Sequence, residues 1–180
     1  MKKLKLYHQQ AYRLLVKAKK KEALVWNDLK KLHSEAQYRF GVYEKEKYIE
    51  ALFKIAEEVP ISYYYMIYED SYHCRVRVAE AFPTDLTTDV FVLAAHFNNI
   101  LVNGGVIINV QSQYVEYHTK CELLIPLLYP GELHNQLLRH YNTSKDVYWA
   151  FQKLLIENEP PALIIADLMK MYEKENSKEK

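Results

Sequence analysis

The residues that could do chemistry here are few, and their spacing argues against most of it. His73 stands beside Cys74 and His118 lies three residues before Cys121. Neighbouring strand residues point to opposite faces, so His73 and Cys74 do not hold one ion, and His118 with Cys121 lacks a second pair at finger-like spacing. No metal is expected. No serine sits in a G-x-S-x-G elbow and neither cysteine lies in a nucleophile signature. Asn103-Gly104-Gly105 is the one glycine cluster, and it precedes a strand pattern instead of opening a helix, so it reads as a helix stop and not a phosphate loop. Glu44, Glu46, Glu50, Glu57 and Glu58 lie among lysines in a segment read as helical, where they form a solvated face with i, i+4 pairs. The expectation is no enzyme and no cofactor.

What remains is chemistry of contact. Arg75, Arg77, Glu116 and His118 fall on one side of a predicted sheet, and one alternating set of the tyrosines at 63 and 65 or at 64 and 68 joins them. Aromatics beside arginines on an open sheet grip peptides or stack bases. Tyr63, Tyr65, Arg75, Arg77 and His118 are therefore the candidate partner-binding residues. The alternative set is Lys17, Lys19, Lys20 and Lys21, which belong to a stretch from Met1 to Lys21 without an acidic residue and could contact phosphates.

These residues need a frame, and periodicity supplies one. From Leu4 to about Phe40 a helical composition runs without proline or glycine, with a seam of Ala11, Leu15, Ala18, Val25, Leu29, Leu32 and Ala36 broken at Glu22. This predicts a long basic arm over 1–41, one helix or two hinged near Lys19 to Glu22, whose seam suits self-association. Tyr43 to Glu58 is read as a second helix with Ile49, Leu52, Phe53 and Ala56 on one face, ended by Val59-Pro60. Ile61–Tyr68 and Tyr72–Ala81 read as a hairpin joined at Glu69, Asp70 and Ser71, because β-branched and aromatic residues alternate with polar ones.

Thr84 to Thr88 then offers caps for a helix carrying Leu86, Val90, Leu93, Phe97 and Ile100. A second hairpin is expected over Val106–Val110 and Tyr114–Thr119. Helices follow at about Glu132–Tyr141, Ser144–Glu157 and Pro161–Lys174, with 176–180 a charged tail. The fold class is α+β: an antiparallel sheet of two β-hairpins flanked by helices, over 42–175, behind a helical arm.

Composition agrees with such a domain. At 180 residues the chain can bury roughly 70% of its unfolded surface. Two cysteines and no signal-like or membrane-length apolar run point to a cytoplasmic protein with reduced thiols and no membrane partner. A net charge of +1 argues against a dedicated nucleic-acid binder, leaving nucleic acid a secondary partner.

The stretch Phe97-Asn98-Asn99-Ile100-Leu101-Val102-Asn103-Gly104-Gly105, followed by Val106-Ile107-Ile108-Asn109-Val110 and Tyr114-Val115-Glu116-Tyr117-His118, resembles the YbjN and type III secretion chaperone-like families. The resemblance covers about two thirds of the chain, from Tyr43 to Met171. It implies a curved antiparallel sheet under helices, homodimers, and a non-catalytic role in holding an extended segment of another protein or in regulation. The long basic arm departs from that family's compact start.

Overall fold

The computed structural model describes residues 2–57, 59–68 and 70–178, with side chains placed over 7–174 apart from Glu58 and Glu69. Two helices, α1 (Lys2–Leu15) and α2 (Ala18–Glu35), precede the strands β1 (Phe40–Tyr43), β2 (Tyr48–Ala56), β3 (Val59–Tyr68) and β4 (Ser71–Ala79). Then come α3 (Thr87–Ile100), β5 (Gly105–Asn109), β6 (Tyr114–Glu122), α4 (Leu124–Leu128), α5 (Gly131–Glu157) and α6 (Pro161–Lys178). The strands form one antiparallel sheet in the order β1-β2-β3-β4-β6-β5.

The α+β class holds, but the sheet is built from three hairpins instead of two. The helix expected over Tyr43–Glu58 is β2, preceded by the short strand β1. Its residues satisfy both periods: Ile49, Leu52, Phe53 and Ala56 fit a helix face, while Ile49, Ala51 and Ile55 fit a strand face. The strand prevails because β3 offers a long pairing surface, with Ile49 opposite Tyr65 and Ala51 opposite Tyr63. Pro60 ends no helix. It lies near the start of β3 beside a bulge between Lys54 and Ala56, where a missing N–H is tolerated. Of the residues assigned to turns and solvated faces, Glu58 and Glu69 lie outside the described set.

Two other boundaries move. The expected hinge at Lys19–Glu22 falls at Val16–Lys17. The expected break near Asn142–Thr143 does not occur: the Ser144 hydroxyl donates to the Tyr141 carbonyl one turn back instead of capping a new helix, and α5 is continuous over 27 residues. The boundary expected at 41/42 falls inside β1, and α2 is part of the main core: Val25, Trp26, Leu29 and His33 are buried with the sheet residues. Arg13 ties α1 down, donating to both carboxylate oxygens of Asp28 at 2.6 and 3.2 Å and to the Leu127 carbonyl.

The core lies between one sheet face and the helices. Ile49, Tyr63, Tyr65, Ile67, Tyr72, Cys74, Val76, Val115 and Tyr117 meet Leu133, Leu137, Val147, Ala150 and Phe151 of α5, with Phe97 of α3 stacked on Phe151 at 6.4 Å. Gly104 closes the turn into β5 at φ +82°, where a Cβ would stand 2.4 Å from the His118 carbonyl oxygen, so only glycine fits.

Candidate partner-binding face

Because side chains alternate along a strand, the helix-covered face leaves the other set facing away from the core. That second face carries Tyr43, Tyr48, Glu50, Ser62, Tyr64, Met66, His73, Arg75, Arg77, Tyr114, Glu116, His118 and Lys120, and none of these belongs to the core. It is rich in tyrosine and carries two arginines, side chains that are enriched at protein interfaces.

Arg75, Arg77 and His118 lie on this face as expected. Tyr63 and Tyr65 do not, and their assignment to the open face is corrected: both have no exposed surface. Tyr63 donates to the Ser144 hydroxyl of α5 at 2.7 Å, since that hydroxyl's own proton goes to the Tyr141 carbonyl, and Tyr65 packs on the His33 ring at 5.2 Å. Their neighbour Tyr64 takes the open position between Glu50 of β2 and Arg75 of β4. The misreading of β2 also hid Tyr43 and Tyr48, whose rings stack at 4.2 Å. Glu50 gathers the polar end of this group, accepting from Ser62 at 2.7 Å, Tyr43 at 3.3 Å and Tyr64 at 3.4 Å.

Further along, Arg77 lies over the Tyr114 ring at 4.3 Å and meets Glu80 at 3.4 Å. Arg75 approaches Glu116 only to 3.7 Å, and its buried Nε has no hydrogen-bond partner among the described residues. Burial raises the Glu116 carboxyl above its usual range, and the two arginines oppose that rise.

The histidines form a chain that no spacing revealed, since it spans β4 and β6. The Ser71 hydroxyl donates to the Tyr68 carbonyl at 2.9 Å. His73 Nε2, 2.8 Å from that hydroxyl oxygen, must then be the donor, which leaves His73 Nδ1 to accept from His118 Nε2 at 2.9 Å. Serine, histidine and a third orienting group in sequence have the connectivity of an activated nucleophile. The protons run the wrong way for that role, and Ser71 is only 2% exposed. Burial first, then Arg75, His73 and Lys120, holds the His118 imidazole down to about 4, and His73 is lowered by burial with Arg75 and Lys120.

Cys121 lies on the helix side of β6, opposite His118, and among the described residues no group of three or more histidine, cysteine or acidic side chains could hold a metal. The alternative lysines lie elsewhere: Lys17, Lys19 and Lys20 are exposed near the α1–α2 junction, with Lys20 over the Tyr12 ring at 5.3 Å. Lys21 lines a hollow of about 630 Å³ together with Glu22, Asp70 and Glu122, an acidic setting unsuited to phosphate. Among the described residues no helix is long and apolar enough to cross a membrane.

No protein-family model and no curated protein matches the chain. Among solved structures, the chain is similar to the Yersinia pestis type III secretion chaperone SycH, crystallised with a stable fragment of YscM2. The match covers 66% of this chain and 98% of that one, at 9% identity and a TM-score of 0.41.

Proposed function

We propose that the chain is a non-enzymatic protein-binding domain, chaperone-like or regulatory, which holds a segment of another protein against the open face of its sheet. The observation that carries this reading is the helix-free face itself, an aromatic and arginine-rich surface on a sheet whose other side is fully packed. Tyr64, Arg75, Arg77 and His118 are its anchors, with Tyr48 extending it across β2. Replacing Tyr64 and Arg77 together by alanine abolishes capture of the native partner, whereas replacing the exposed Leu163 of α6 does not. Loss of capture with the α6 variant and not with the sheet variant would refute it.

The reading includes self-association through α1, whose Tyr7, Tyr12, Leu14 and Leu15 are exposed. The expected seam cannot act as a whole, because its α2 half, Val25 and Leu29, is spent in the core. Deleting residues 1–16 then converts a dimer to a monomer in light scattering, and an unchanged mass removes α1 from the account.

A further inference from the structure

Arg75 and His73 on β4 face His118 and Lys120 on β6, directly across in register: Arg75 opposite His118 and His73 opposite Lys120. Four basic side chains thus occupy adjacent positions on one open face. Its two fixed cations, Arg75 and Lys120, lie diagonally across β4 and β6 with the two imidazoles between them. Its charges are only partly spent, Arg75 having one long ion pair with Glu116. Arg75 makes no hydrogen bond among the described residues, its nearest carboxylate standing at 3.7 Å, and Lys120 makes no ion pair there. The histidine chain ends at His118 Nδ1, the one ring nitrogen of the pair with a lone pair and no partner among the described residues.

We infer that this block is an anion seat for a single carboxylate, an aspartate or glutamate side chain in the extended segment that the open face holds. The inference rests on the protein-binding reading above and names the chemistry of the partner. The block's limits select the ligand. On the same face of β6, Glu116 and Glu122 bracket His118 and Lys120, so a polyanion such as nucleic acid would meet a carboxylate at either end of the seat. On β3 the neighbours of Arg75 and His73 are Tyr64 and Met66, and Tyr48 lies beyond Met66 on β2. An acidic residue on the seat therefore has apolar and aromatic surface beside it for the residues that flank it in the partner. The guanidinium and ammonium groups supply charge-assisted hydrogen bonds, and His118 Nδ1 takes up a proton when the carboxylate arrives. Burial, with Arg75 and Lys120 adding to it, keeps both imidazoles neutral in the free protein, and those two cations are the ones the carboxylate would neutralise.

The test is selection of a random-peptide display library on the intact protein, followed by binding of one enriched peptide and its Glu→Gln or Asp→Asn counterpart. The expected result is a motif with one acidic residue next to apolar ones, whose affinity falls about tenfold on amidation and about tenfold in the Arg75→Gln protein. Lys120→Gln, at an exposed position outside the core, repeats the loss if Arg75→Gln fails to fold. Peptides that lose binding in the Tyr64→Ala protein but carry no acidic residue would overturn the carboxylate seat and leave the open-face reading standing. Peptides indifferent to both Tyr64→Ala and Lys120→Gln, or no enriched peptide at all, would overturn the seat, and the former would count against the face as well.

Discussion

Acid should unfold this protein through its buried imidazoles, and His140 allows the size of the effect to be worked out. The ring lies in the core, stacked on Tyr117 at 4.9 Å, with Nδ1 3.1 Å from the Thr119 hydroxyl and Nε2 without a partner. Burial, with a smaller contribution from His118, lowers its pKa from 6.5 to about 3. The unfolded chain therefore takes up this proton near 6.5 and the folded chain does not until far lower. Stability is complete above the unfolded value and falls as pH drops through the interval between the two. The slope is about 1.4 kcal/mol per pH unit, so roughly 2.7 kcal/mol is lost by about pH 4.5 from this residue alone.

His33, buried among Tyr38, Phe40 and Tyr65, and His73 contribute in the same direction, and His118 adds a part reduced by its contact with solvent. Carboxylates titrate over the same range, so the informative quantity is a difference between proteins. In urea unfolding at neutral pH and at about pH 4.5, His140→Gln, which can still bond Thr119 but does not titrate there, should lose about 2–3 kcal/mol less than the parent. Equal losses in the two proteins would show that His140 is not held neutral by burial.

Other expectations follow from single contacts. Tyr65→Phe should be neutral or stabilising by about 1 kcal/mol, because the buried hydroxyl it removes has no partner, whereas Tyr63→Phe should cost about 1 kcal/mol through the lost Ser144 bond; urea midpoints separate them. Asn98 bonds both the N–H and the C=O of Val106 on the β5 edge, at 2.7 and 3.1 Å, and so closes that edge to strand addition. Asn98→Ala should lower stability by about 1–2 kcal/mol and raise concentration-dependent association in light scattering. Duplex DNA should bind only in the non-specific range, Kd about 10⁻⁴–10⁻⁶ M. A tighter, salt-sensitive complex lost on replacing Lys17, Lys19 and Lys20 would restore the nucleic-acid reading.

Much of the frame was legible where one period had no rival. His73, Arg75 and Arg77 alternate with Cys74, Val76 and Val78 in a strand that cannot be a helix face, and the β5–β6 hairpin and α3 read as clearly. Residues 48–56 fit two periods at once, and only pairing with β3, a contact distant from the local pattern, decides between them. Tyr63, Tyr64 and Tyr65 are chemically alike, so the open member of the run is set by Ser144 and His33 on helices far along the chain. Arg75 and His118 were recognisable by type, but their direct opposition and the Ser71–His73–His118 chain depend on the β4–β6 register, which no local pattern encodes.

The claim on which the account rests is that partners meet the uncovered side of the sheet. A photoreactive phenylalanine analogue placed at Tyr64, and separately at Leu163 on the exposed side of α6, reads this out in the native cell. Adducts to another polypeptide should form from position 64 and be absent from position 163. Adducts from position 163 with none from position 64 would place the partner on the helices and contradict the account.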